Sequence, residues 1–190
     1  EKSDVLAVGP GLGTAEATKE VIRDILQGCG KPVVIDADAL TALVGHTEIL
    51  SKMKCPRIIT PHPAEMARLI DAAAADVDAR RLAVASRYAV EWQTVVVLKG
   101  APTVVATPEG VAYLNTTGNE GMATGGSGDV LTGIIAALLG QGLSAAEAAV
   151  LGVYLHGLAG DLAAENGKIG LAAGQISENL PRARQKVEEE

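Results

Sequence analysis

Apolar runs at residues 4–9 (DVLAVG), 32–40 (PVVIDADAL), 57–60 (RIIT) and 94–98 (TVVVL) punctuate the chain, each followed by polar or turn-forming residues. Runs this short and this continuously apolar read as strands covered on both faces. Between them lie stretches of helical periodicity. Thr14 can cap a helix to about Gln27 whose apolar stripe is Val21, Ile22, Ile25 and Leu26. A polar helical stretch fills 39–53, another helix begins at Pro63, and 71–92 reads as helix with an alanine-rich break near 72–76. After the fourth run, a hairpin is expected with strands near 103–107 and 111–115 about the Pro108-Glu109-Gly110 turn. An apolar helix then starts at about Asp129, and Ser144 with Glu147 forms a capping box for a long helix to about Asn166. Ala172 to Gly174 precede a last helix with Ile176, Leu180 and Val187 inward, and Glu188 to Glu190 read as a solvated end. Strands alternating with helices specify an α/β fold: a three-layer sandwich with a mostly parallel sheet flanked by helices.

Composition narrows the picture. At 190 residues and 48% hydrophobic, with no internal repeat or linker, the chain reads as a single domain, 1–190. Aromatics are 2% and Phe is absent, so the core must be aliphatic and base-stacking platforms are not expected. The net charge of -7 argues further against nucleic-acid binding. A phosphate-bearing ligand would have to be held by local backbone dipoles and a metal, against the overall field. Cys29 and Cys55 are isolated, without CxxC or a His at ligand spacing, so a zinc site or a disulfide framework is not suggested and a reduced, cytoplasmic location fits. No run of about 20 apolar residues suggests a membrane span. The chain lacks an initial Met and enters a strand pattern almost at once, as an excised piece of something longer would.

The chemistry gathers where the strands end. The segment NTTGNEGMATGGSGDVLTGIIAALLG, residues 115–140, is a glycine-crowded loop running into an apolar helix. Gly125, Gly126 and Gly128 would let successive N–H groups converge on one anion, with Ser127 adding a hydroxyl and the helix N-terminus adding its dipole. Asp129 is either a helix cap or a general base beside a bound phosphate, and the surrounding glycines favour the base. GPGLG, residues 9–13, is a strand-to-helix turn that allows close approach of a ligand. Period-two alternation sends Asp36 and Asp38 to one side, to serve hydrated magnesium or substrate hydroxyls, or to cap the next helix. His62 and Glu65 fall at the third strand exit, and Lys99 at the fourth. His156 and Asp161, five apart, share a helix face poorly and carry no assigned chemistry. In a parallel sheet, Gly11, Asp36, His62, Lys99 and Asp129 would all lie at the carboxyl ends of strands, where ligands bind.

GPGLG, VIDADAL, TPHPAEMARL, LKGAPTVV and NTTGNEGMATGGSGDVLTGIIAALL occur here in one order along essentially all 190 residues. With these motifs the chain resembles the ADP- or ATP-dependent NAD(P)H-hydrate dehydratases, a repair branch of the ribokinase-like superfamily. GSGD alone would indicate only a ribokinase-like phosphoryl-transfer site; HPAE and the GMATGGSGDVLTG block make the match specific. The resemblance implies that a nucleotide phosphorylates the hydroxyl of a hydrated nicotinamide ring and that loss of phosphate restores NADH or NADPH.

By position, Asp129 resembles the catalytic base and a hydrate contact, and Gly126, Ser127 and Gly128 the anion hole. Lys99, Gly100, Ala101, Pro102 and Thr103, with Gly128, resemble the nucleotide segment, and Gly13 and His62 the hydrate-contacting positions. Glu65 resembles a residue that holds magnesium through water. The resemblance further implies ADP or ATP with Mg2+, hydrated NADH or NADPH as substrate, and a homo-oligomer, with a tetramer one form. Family members carry further residues before GPGLG, so the chain is expected to be N-terminally incomplete and not active alone. Two rival readings are a ribokinase-like kinase of a vitamin-precursor alcohol, of the hydroxyethylthiazole or hydroxymethylpyrimidine type, and a nucleotide-binding fragment without chemistry.

Overall fold

Six strands form one sheet in sequential order: β1 (Leu6–Val8), β2 (Val33–Ile35), β3 (Arg57–Ile59), β4 (Val95–Leu98), β5 (Val104–Ala106) and β6 (Ala112–Leu114). The computed structural model describes residues 3–189, so Glu190 of the expected solvated end lies outside the described residues. β1 to β4 pair in parallel and the β5–β6 hairpin adds antiparallel, so the sheet is mostly parallel as expected. Parallel pairing brings the carboxyl ends of β1, β2, β3 and β4 to one edge of the sheet. That edge is where the site residues emerge.

Alternation along the buried strands sorts the core into two layers. Val33, Ile35, Ile59, Val96, Leu98 and Val104 pack with Ile22, Leu26, Leu40, Leu50 and Met66 on one face. Val34, Ile58, Val95, Val97 and Val105 pack with Leu131, Ile135, Leu138 and Val153 on the other. The first face is covered by α1 (Glu16–Gly28), α2 (Ala37–Ala42), α3 (Glu48–Lys52), α4 (Pro63–Leu69), α5 (Ala74–Ala79) and α6 (Arg81–Glu91). The second is covered by α7 (Ser127–Gly140) and α8 (Ala145–Ala163), with α9 (Ala173–Glu188) packed on both. This is the three-layer sandwich. Among the described residues no helix is long and apolar enough to cross a membrane.

Several boundaries differ for local reasons. The stretch expected as one helix over 39–53 is two, because Gly45 takes φ +77 between them. The stretch 71–92 is two helices: the first starts at Ala74, after Asp71 with φ +50, so that part of the expected break near 72–76 is helical, and the break falls instead at Arg80, which leaves helical geometry at φ -129. Thr14 does not cap α1: the N-cap is Ala15, without a side-chain bond. Ile22 and Leu26 of the expected stripe are buried, whereas Val21 is 56% and Ile25 44% exposed, because the helix meets the core along a narrow seam. The Ser144–Glu147 capping box and the hairpin turn at Gly110 form as expected.

Candidate functional site

Four strand exits and one helix start build the site. Gly9, directly after β1, has φ +134, and a Cβ there would stand 1.7 Å from the Asp36 carbonyl oxygen. Only glycine lets the β1 and β2 exits approach this closely. β2 ends at Ile35, earlier than the alternation reading required, and Ala37 takes φ +47 as the chain turns into α2. That turn separates the two acids expected on one side. Asp36, 1% exposed, points into the protein, where Lys99 Nζ and Thr132 Oγ1 donate to its two oxygens, each at 2.8 Å. Asp38 turns the other way and accepts the Gly13 N–H at 2.8 Å, tying the GPGLG turn to α2.

The glycine loop enters α7 two residues earlier than expected, at Ser127, with Gly126 as its N-cap at φ +87. Of Gly125, Gly126 and Gly128, only Gly126 lies in the left-handed region, so the expectation of unusual angles at all three is corrected. Gly128 is explained by space instead. A Cβ at that position would lie 3.3 Å from Lys99 Nζ and 3.9 Å from Asp36 Oδ2. The N–H groups of Gly128 and Asp129 have no acceptor among the described residues, as the first turn of a helix predicts. They remain free for an anion, with an ammonium beside them.

Asp129 occupies the third helical position and is exposed, and its carboxylate makes no hydrogen bond among the described residues. The capping alternative is therefore not realised. The carboxylate instead lines a cavity of about 370 Å³ with Ala7, Val8, Gly9, Pro10, Leu12, Thr132 and Gly133. This cavity joins the GPGLG turn after β1 to the first turns of α7.

The third and fourth exits supply further groups. His62 caps α4, its Nδ1 accepting the Ala64 and Glu65 N–H groups at 3.1 and 3.3 Å, while its ring remains partly open to solvent. Glu65 completes the capping box: Oε2 accepts the His62 N–H at 2.7 Å and lies 3.9 Å from Lys99 Nζ. After β4, Thr103 Oγ1 donates to the Gly100 carbonyl at 3.0 Å and closes the segment of Gly100, Ala101 and Pro102. Arg81 donates to the Lys99 and Pro102 carbonyls at 3.1 and 3.3 Å, so one guanidinium frames this segment from α6.

Sequence reasoning missed the α8 residues that carry the glycine loop. His156 Nε2 lies 3.0 Å from the Ser127 carbonyl oxygen and 3.3 Å from Ser127 Oγ. Burial pushes the imidazole down to about 4, and the Lys99 charge pushes the same way against the Ser127 carbonyl. The ring is thus neutral near pH 7 and donates to the carbonyl. Asp161 accepts from the Gly118 N–H at 2.8 Å and from Asn119 Nδ2 at 2.9 Å. Between them, Gly157 and Gly160 let the loop approach: a Cβ would stand 2.2 Å from Thr117 Oγ1 or from Met122 Sδ. Paired glycines inside a long apolar helix, flanked by a His and an Asp, were the available signal.

The arrangement offers free amides and one ammonium for phosphate, an unpartnered carboxylate for proton transfer, and an adjoining cavity. The NAD(P)H-hydrate dehydratase family profile matches residues 1–182. A bifunctional NAD(P)H-hydrate repair enzyme of Moorella thermoacetica is 52% identical over 188 residues, covering 98% of this chain and 36% of that protein. A Bacillus subtilis ADP/ATP-dependent NAD(P)H-hydrate dehydratase, co-crystallised with ATP/Mg2+, superposes with a TM-score of 0.88 at 36% identity, over 98% of this chain and 65% of that one. The ribokinase of Thermotoga maritima, at 17% identity, shares the fold with a TM-score of 0.64 over 96% of this chain and 57% of its own. The chain thus spans little more than a third of the first of these relatives.

Proposed function

The chain belongs to the NAD(P)H-hydrate dehydratase family, and from that premise we propose that it serves the nucleotide-dependent dehydration of hydrated NADH or NADPH. The observation that carries this reading is Asp129: a carboxylate without a partner among the described residues, in the first turn of a helix with free N–H groups, on the wall of a cavity. In the proposed reaction the ring hydroxyl attacks the terminal phosphorus of ADP or ATP and gives its proton to Asp129, while the bond to the departing nucleotide breaks. The Gly126, Ser127 and Gly128 turn is assigned as the anion hole, with the free Gly128 amide and that of Asp129 binding the moving phosphoryl group where charge develops. Loss of phosphate from the ring, with a proton from the adjacent carbon, then leaves the double bond of NADH or NADPH.

Lys99 to Thr103 fit the nucleotide, with Lys99 Nζ directed at the cradle and Arg81 fixing the segment's carbonyls. Gly13 and His62 are assigned to the hydrate, Gly13 through the turn that Asp38 secures and His62 through the exposed part of its ring, whose Nε2 lies 3.5 Å from Glu65 Oε1. Among the described residues no group of three or more His, Cys, Asp or Glu side chains could hold a metal. Mg2+ therefore fits as a phosphate-borne ion, reached by Glu65 through water, because one Glu65 oxygen is already taken by the His62 N–H. Bound so, it would neutralise phosphate charge. The same reading includes a cytoplasmic homo-oligomer, for which a tetramer is one form.

The test is to incubate the full-length protein that carries this chain with hydrated NADH or NADPH and either ADP or ATP, and to follow the absorbance of the reduced nicotinamide. Recovery that requires nucleotide supports the dehydratase. No recovery with either nucleotide and either hydrate overturns it, and transfer of phosphate to a small alcohol in its place would make the protein a kinase.

A further inference from the structure

The cradle is held only in part by its own backbone. Its cap, Gly126, has φ +87 and no side chain with which to fix the turn, and the Ser127 N–H reaches only the Thr124 carbonyl, at 3.3 Å. What reaches it from outside the loop is α8. His156 Nε2 meets the Ser127 carbonyl oxygen at 3.0 Å, in a setting where a charged ring is disfavoured and the contact is a neutral N–H to a carbonyl. The α7 hydrogen-bond ladder starts one residue earlier, with the Val130 N–H on the Gly126 carbonyl at 3.1 Å, and turning the Ser127 peptide that follows would redirect the Gly128 N–H. Lys99 approaches the same point from β4, within 3.3 Å of where a Gly128 Cβ would be, and cannot substitute for a donor to the carbonyl because its nearest partner is Asp36 at 2.8 Å.

We propose that His156 is a positioning residue for the anion cradle, acting through the Ser127 carbonyl to aim the Gly128 and Asp129 amides at the terminal phosphate of the nucleotide. The inference rests on the dehydratase reading for the ligand, and on geometry alone for the aim of the amides. His156 touches neither the nucleotide nor the hydrate in this scheme. Its effect should therefore fall on phosphates bound by the cradle and spare a nucleotide that stops short of it.

Two measurements on the full-length protein that carries this chain test this, with His156→Leu and His156→Gln compared with the unaltered protein. Gln carries an amide donor at a reach similar to imidazole Nε2, so it is the conservative variant. Calorimetric titration with Mg-ATP and with AMP should show His156→Leu weakening ATP by about tenfold, the worth of one oriented hydrogen bond. AMP should change by less than about twofold on the same scale, and Gln should restore most of the ATP affinity. Equal loss of AMP and ATP, unchanged ATP affinity, or no rescue by Gln would overturn the proposal. Amide hydrogen exchange without ligand provides the second readout. Residues 127–130 should exchange faster in His156→Leu while the strands keep their protection, and unaltered protection at 127–130 would equally refute it. Failure of the unaltered protein to bind any nucleotide would count against the dehydratase reading, and the exchange data would still decide the role of His156.

Discussion

Asp36 holds Lys99: their Oδ1 and Nζ atoms lie 2.8 Å apart across the exits of β2 and β4, with Thr132 of α7 bonded to the other carboxylate oxygen. Asp36 is 1% exposed and the Lys99 side chain 20% exposed, so the pair lies at the boundary between core and site. Asp36→Asn leaves a near-isosteric amide facing an ammonium. Lys99 can partly rehydrate, so the variant should lose about 2 kcal/mol of unfolding free energy, below the cost of a wholly buried broken pair. Urea unfolding measures it, and a midpoint equal to that of the unaltered protein would show that the pair does not stabilise the fold.

Asp129→Asn should behave in the opposite way. Its carboxylate has no hydrogen bond among the described residues, so stability and nucleotide affinity should be nearly unchanged, while turnover falls by about 10² to 10⁴, the range for a general base. Steady-state kinetics of the full-length protein beside a melting curve separates the two effects. Near-normal turnover would remove Asp129 from the chemistry.

The pH dependence of stability should carry the signature of His156. Its folded value is about 4 against 6.5 for the ordinary group, so as pH falls the unfolded chain takes up the proton first. Stability from this residue is complete above pH 6.5, falls between 6.5 and 4, and is level below 4. The gap corresponds to about 3 to 4 kcal/mol as an upper bound. Other groups titrate in this window, so the comparison is with His156→Gln: its stability should decline less between those limits. Parallel curves for the two proteins would refute the buried neutral ring.

Gly9→Ala should be the most damaging small change near the site. The added carbon would fall 1.7 Å from the Asp36 carbonyl oxygen, a backbone atom that cannot turn aside, at a φ of +134. A loss of about 3 kcal/mol or more is expected, the range reserved for overpacking and backbone conflict. Gly13→Ala provides the contrast, since nothing lies within 4 Å of a Cβ there and only its φ of +84 opposes the change. Equal melting temperatures for the two variants would refute the close approach of the strand exits.

The layered fold was legible because it rests on patterns that survive without coordinates: continuous apolar strands, helical stripes and a hairpin turn. The convergence of Asp36, His62, Lys99 and Asp129 at the sheet's carboxyl edge followed from parallel topology. What the chain concealed was direction. Asp36 and Asp38 were expected side by side, yet Ala37 at φ +47 turns one inward to Lys99 and the other toward Gly13. His156 and Asp161 looked unrelated because each serves a different part of a loop some 30 to 40 positions earlier, and such a pairing exists only after α8 packs. Arg81 was hidden likewise, since a guanidinium framing the carbonyls of Lys99 and Pro102 leaves no trace in local spacing.

The cavity wall is built from the β1 exit and α7, and the proposed site adds groups from the β2, β3 and β4 exits, so its parts are spread from Gly9 to Asp129 along the chain. No excised peptide, the glycine loop included, would therefore be expected to retain the ligand. Occupancy of the site should act as a clamp on the entire sheet: a bound nucleotide should raise the melting temperature of β1 and β4 together, as one transition, in proportion to the logarithm of its concentration.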